Sequence, residues 1–158
     1  MHTISPLIHQ QLKALSKGEL PAVTILSNAS ALLMEAVTGL NWAGFYLSKG
    51  ETLYLGPFQG KAACTVIPYG KGVCGTAAVT DTTQRVEDVH RFPGHIACDS
   101  ASNSELVIPI HGDSGKVIGV LDLDSIHLGR FSAEDQKTLE KFVSLLEELL
   151  RSSMPLPF

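Results

Sequence analysis

The sequence predicts an α+β fold, an antiparallel sheet covered by helices, and three observations carry that reading. Apolar residues recur every three or four positions at both ends of the chain, the period drops towards two between them, and glycine-containing turns join the short segments there. Consecutive hairpins build antiparallel sheets, whereas a doubly wound parallel sheet needs a helix after each strand. A length of 158 residues suits one domain, spanning 1–158, with a core that needs neither metal nor cross-link.

Ser5 before Pro6 is helix-start chemistry, because proline's missing N–H costs nothing in the first turn. Leu7, Ile8, Gln11, Leu12 and Leu15 follow near helical spacing, and Gly18 can stop the run. Pro21 opens a second helix, with Ile25, Leu26, Ala29, Leu32, Leu33, Ala36 and Val37 on one broad face, ended by Gly39. The N-terminal helices therefore occupy about 5–39. Strands at Trp42 to Leu47 and Thr52 to Leu55 flank the turn Ser48-Lys49-Gly50-Glu51. Ala62 to Ile67 reads as a further strand, and Thr76 to Val79, after Gly75, as a short helix lying on the sheet. A second hairpin pairs Leu106 to Ile110 with Lys116 to Asp122 around Gly112 and Gly115, so sheet and loops fill about 41–131. Ser132 and Asp135 form a capping-box start for a last helix at about 132–152, with Leu139, Phe142, Val143, Leu146 and Leu149 on its apolar face. Pro155 to Phe158 reads as a loose tail.

Charge and patterning exclude several classes. The net charge is −4 and the cations are scattered singly, so no basic stripe exists to neutralise nucleic-acid phosphates. No basic n-region with an apolar core opens the chain, and no apolar run approaches the ~20 residues of a membrane span. The expectation is a soluble, cytoplasmic protein.

Cysteine is the informative residue. Three occur, at 64, 74 and 98, and in a reducing compartment such spacing points to metal or catalysis rather than to a disulfide framework. Each can be a packing thiol, a metal ligand or a member of a thiol-disulfide relay. Cys74 lies in Gly72-Val73-Cys74-Gly75, where glycines admit solvent and a following helix's N-terminal dipole would favour thiolate. Cys98 follows a Pro-Gly turn and is flanked by Asp99, Ser100 and Ser102, a polar loop; Cys64 has the least distinctive surroundings. His95 stands three residues before Cys98 and either shapes that loop or serves a metal, while His90 reads as solvated. No Cys-x-x-Cys pair anchors a zinc site, so no metal is expected. Gly70-x-Gly72-x-x-Gly75 matches the dinucleotide fingerprint in letters alone, since its surroundings are antiparallel rather than βαβ.

Asp122 and Asp124 are spaced so that both point to one sheet face, and Glu105 begins the neighbouring strand. Strand-end acids are commonly solvated; among Ile118, Val120, Leu121 and Leu123 they could instead line a partly buried pocket that takes an amine or donates a proton. Trp42 and Tyr46 also share a face, as core or as an aromatic wall for a thioether or methyl group.

Three stretches carry a family resemblance: Gly56-Pro57-Phe58-Gln59-Gly60-Lys61-x-Ala63-Cys64, Gly70-Lys71-Gly72-Val73-Cys74-Gly75, and Asp88-Val89-His90-x-Phe92-Pro93-Gly94-His95-Ile96-Ala97-Cys98-Asp99-Ser100-x-Ser102-x-Ser104-Glu105. Over roughly Asn41 to Phe131 the chain resembles the free methionine-(R)-sulfoxide reductases, which are single GAF domains. The resemblance implies a six-stranded antiparallel sheet between helical layers and a homodimer. It implies an enzyme that reduces the free amino acid L-methionine-(R)-sulfoxide, binds no cofactor, and is recycled by thioredoxin, or by dithiothreitol in vitro. Cys98 matches the nucleophile most often assigned, Cys74 a position given that role in some members, and Cys64 an additional resolving cysteine. A thiolate attacks the sulfoxide sulfur, an acid protonates the oxygen, and the sulfenic acid left behind condenses with a second thiol. On this reading Cys74 resolves Cys98, Glu105 and Asp124 contact the sulfoxide oxygen, Asp122 helps bind the ammonium, and Trp42 and Tyr46 face the methyl and thioether end. The alternative is a non-catalytic GAF module that senses a small ligand or redox state; a chain ending about where its domain ends is expected to have no output domain to regulate.

Overall fold

The computed structural model describes residues 2–96 and 98–154. The tail expected at Pro155 to Phe158 lies outside them, as does Ala97 of the third motif. A six-stranded sheet runs in the order β3-β2-β1-β6-β5-β4, with every neighbouring pair antiparallel. Its strands are β1 (Leu40–Lys49), β2 (Thr52–Gly60), β3 (Val66–Pro68), β4 (Gln84–Val86), β5 (Ser104–His111) and β6 (Val117–Ser125). Four helices cover it: α1 (Leu7–Leu15), α2 (Ala22–Ala36), α3 (Gly72–Thr80) and α4 (Ala133–Arg151). The α+β class, with helices on both faces, is the one the sequence predicts.

The two faces are unequal. On one, α1, α2 and α4 bury Ile8, Leu12, Leu33, Leu139, Phe142 and Leu146 against Phe45, Leu106, Leu121 and Leu123 of the sheet. Full burial of each such side chain contributes ~1.5–3 kcal/mol, so this layer holds most of the folding energy. The other face carries only α3, whose Val73, Cys74, Ala77 and Ala78 pack with Trp42, Tyr46, Leu53, Val107 and Val120. Small residues on α3 bring that helix close to the strands bearing the acids.

Local chemistry explains most element ends. Ser132 Oγ accepts from the Asp135 N–H at 3.0 Å and the Asp135 carboxylate accepts from the Ser132 N–H at 3.2 Å, completing the expected capping box. Ser5 Oγ accepts from Leu7 N–H at 3.2 Å, and α1 begins after Pro6. Both N-terminal helices end before the glycines expected to stop them, Gly18 (φ 90°) and Gly39 (φ 83°).

Three differences from the sequence reading matter. The expected strand from Ala62 is ladder-paired only at Val66–Pro68; residues 61–65 form a strap in which the Lys61 and Cys64 carbonyls accept from side chains of β1 and the Thr65 carbonyl accepts from the Leu55 N–H. The edge strand β4 was not predicted, because Gln84-Arg85-Val86 is too short to show alternation. Helix α3 starts at Gly72 rather than after Gly75. Glycines usually argue against a helix interior, yet Gly72 adopts φ 61° and a Cβ on Gly75 would lie 2.6 Å from the Pro68 carbonyl oxygen.

Candidate active site

Strand register assembles the acids. Asp122 and Asp124 of β6 face the α3 layer together, and Glu105 of β5 lies directly across from Asp124. On the other flank Asp124 faces Trp42, while Asp122 faces Gly44, which has no side chain. A Cβ on Gly44 would collide with Phe58 and with the Trp42 indole, so glycine there lets both aromatic residues pack closely over β1.

A cavity opens over these residues, lined by the acids, Trp42, Tyr46, Cys74, His95, Cys98, Asp99 and Ser102 among others. The sequence-predicted residues Trp42, Tyr46, Cys74, Cys98, Glu105, Asp122 and Asp124 thus meet in one place. Cys64 packs against the same cluster and is bonded to Cys98, with Cα atoms 5.4 Å apart. Cys74 is the free thiol. The sequence reading paired Cys98 with Cys74; the structure joins Cys98 to Cys64 instead. The strap carrying Cys64 is held by contacts distant in sequence, which spacing along the chain does not reveal.

The electrostatics separate the roles of these groups. Glu105 and Asp124 are both held well above the ordinary carboxylate range, first by burial and then by the charge of Asp122. Asp122 is also raised by burial, but Glu105, Cys74 and Asp124 hydrogen-bond to its charged form and oppose that rise. Of the trio, Asp122 is thus the one whose charged form its neighbours support, while burial and the charge of Asp122 favour the protonated form of Glu105 and Asp124. Its Oδ1 is buried without a hydrogen-bond partner among the described residues, a costly state that a cationic ligand would relieve. The sulfur of Cys74 and carboxylate oxygens of Glu105 and Asp122 lie within 4.8 Å of one another, a cluster suited to a cation or an ammonium group.

Cys74 differs from expectation. It sits inside the first turn of α3 rather than ahead of it, and burial, followed by the charge of Asp122, pushes its thiol well above the usual value. The helix dipole does not overcome those effects, and Cys74 remains protonated, its Sγ 4.0 Å from Glu105 Oε2. His95 lies 3.9 Å from Glu105, and burial, then His90, lowers its pKa; a neutral imidazole faces a neutral acid.

Asn41 was missed by sequence reasoning. Its Nδ2 donates to Asp99 Oδ2 and to Ser102 Oγ, each at 3.0 Å, tying the loop after Cys98 to the start of β1. The Ala101 N–H and then Asn41 hold the Asp99 carboxyl below its ordinary range. Asparagine at a strand start carries no local signal of such a tie.

Comparison with known proteins places this site in a class. The family model for the GAF domain matches residues 22–150. The free methionine-R-sulfoxide reductase of Escherichia coli is 52% identical over 146 residues, covering 92% of this chain and 88% of that protein. Among solved structures, fRMsr of Staphylococcus aureus in its reduced form superposes with TM-score 0.88 at 49% identity, over 95% of this chain and 99% of the other. The free methionine-R-sulfoxide reductase of Neisseria meningitidis, in complex with its substrate, superposes with TM-score 0.87 at 40% identity, over 96% and 95%. The chain belongs to the GAF family and, within it, to the group that contains the free methionine-R-sulfoxide reductases.

Proposed function

We propose that the protein reduces free L-methionine-(R)-sulfoxide to L-methionine. The observation that carries this reading is the meeting, at one cavity, of Cys98, itself bonded to Cys64, with Glu105, Asp124 and the unsatisfied carboxylate of Asp122. The ammonium of the amino acid fits Asp122. Glu105 and Asp124, kept protonated by burial, are placed to donate to the sulfoxide oxygen, and the indole of Trp42 walls the methyl and thioether end.

Cys98 thiolate attacks the sulfoxide sulfur. The oxygen, protonated by Glu105, passes to the Cys98 sulfur, so methionine leaves reduced and Cys98 is left as sulfenic acid. The Cys64 thiol then attacks that sulfur; the S–O bond breaks, water departs, and the disulfide forms. An external dithiol, thioredoxin in the cell or dithiothreitol in vitro, reduces the disulfide and returns both thiols. No cofactor takes part in this cycle. A cytoplasmic homodimer is the proposed form of the enzyme. Among the described residues, no helix is long and apolar enough to cross a membrane.

The decisive assay incubates the protein with each epimer of free methionine sulfoxide and dithiothreitol. Consumption of the R epimer alone is expected; turnover of neither epimer would favour a non-catalytic GAF sensor. A second expectation concerns pH. Glu105 has a raised pKa, so it holds its proton to higher pH than an ordinary carboxyl and loses it as pH climbs through the raised value. Methionine release should therefore fall along an alkaline limb. Glu105→Gln should slow release more than it weakens binding and should abolish that limb; an unchanged profile would remove Glu105 from the proton-donor role.

A further inference from the structure

Tyr46 is buried at 2% exposure, yet its hydroxyl is committed to neither acid nor cavity. It donates to the backbone carbonyl of Cys64 at 3.0 Å. Trp42 does likewise, its Nε1–H donating to the Lys61 carbonyl at 3.1 Å. The Leu55 N–H adds a third tie, to the Thr65 carbonyl at 3.0 Å. Between these bonds the strap from Lys61 to Thr65 is outside the sheet ladder, and Lys61, Ala62 and Thr65 are exposed. Only Ala63 and Cys64 are half-buried, against the α3-side cluster, so beside that packing the conformation of the strap depends on the ties.

The donors are themselves rigid. Trp42 stacks on Tyr46 with ring centroids 5.8 Å apart and on Phe58 at 5.2 Å, and both rise from the central strand β1. We infer that Trp42 and Tyr46 are positioning residues for the resolving cysteine: they hold the Cys64 backbone in place for attack on Cys98. The inference rests on the proposed reductase cycle and deepens it. It assigns the tyrosine hydroxyl to the second step, in which the Cys64 thiol displaces water from the Cys98 sulfenic acid, rather than to contact with the sulfoxide. A buried tyrosine can satisfy its hydroxyl on any carbonyl in reach; here two pocket aromatics reach the same five-residue strap, at its first and fourth positions.

The test separates the two steps. Tyr46→Phe keeps the ring and removes the tie. In single turnover without added reductant, methionine release is followed by rapid quench and the sulfenic acid is trapped with dimedone. The variant should form its disulfide about fivefold more slowly than the wild type, the loss expected for one hydrogen bond, with a smaller effect on methionine release and more dimedone adduct. Equal slowing of both steps, or of neither, overturns the inference. Independently, equilibration of the Cys64–Cys98 pair with glutathione should show an effective concentration about fivefold lower. That titration uses no substrate. It is also run on Trp42→Phe, so a Tyr46→Phe protein that fails to fold leaves a readout; an unchanged equilibrium in the folded variant counts against the idea. If the wild type releases no methionine at all, the proposed function fails, whereas a wild type that turns over beside an unsplit variant sinks this inference alone.

Discussion

Cys98→Ser is expected to reduce methionine release to the uncatalysed level, measured as methionine formed per subunit in a single turnover without reductant. Serine is of similar size, so the fold and the acids should persist while the nucleophile is lost; an alcohol with a pKa far above neutrality cannot replace a thiolate. The companion variants separate the other two thiols. Cys64→Ser should still release one methionine per subunit and then stall under thioredoxin, because Cys64 is the thiol bonded to Cys98 and the remaining thiol, Cys74, is held protonated by burial. Cys74→Ser should lose less than Cys98→Ser, since burial and Asp122 keep the Cys74 thiol protonated. A stoichiometric yield from Cys98→Ser would transfer the attack to Cys74 and overturn that assignment.

The largest stability loss is expected from Asp135→Ala. Arg130 has a buried side chain whose Nη1 lies 3.2 Å from Asp135 Oδ2, with further bonds from Nε to the Thr38 carbonyl at 2.8 Å and from Nη2 to the His2 carbonyl at 3.3 Å. Asp135 also accepts from the Ile4 N–H at 2.9 Å and completes the α4 cap. Removing it strands a buried cation and an amide while weakening a helix start, a loss of about 3–5 kcal/mol. Urea unfolding measures this as a fall in midpoint at unchanged slope. Arg130→Met on the same background should recover part of the loss by removing the stranded charge; a single-variant loss below about 1 kcal/mol would mean that water already satisfies Arg130.

Much of this architecture is legible from residue order. The α4 capping box depends on two residues three positions apart, and both acids of β6 share a face because strands have a period of two. Those are local rules, and local rules survive folding. The site's remaining features are not local. Asn41 and Asp99 meet across the fold, and Cys64 reaches Cys98 because its strap hangs from side chains on β1. Cys74 is misread for a related reason: flanking glycines look like a solvent-open turn, whereas Gly75 is there so that α3 can press against the Pro68 carbonyl. The thiol's surroundings are then set by Asp122 and Glu105, which arrive from other strands. Register places Asp122 opposite Gly44, and neither residue announces that pairing.

The sheet divides labour between its surfaces. Three helices and the larger set of aliphatic residues weight one surface, while the other carries one short helix, a strap and a loop around the thiols. A guest can be admitted, and a bond made or broken, by shifting parts that contribute little to keeping the chain folded. Mutational robustness should be lopsided in consequence, with chemistry able to drift on one side of a foundation laid on the other.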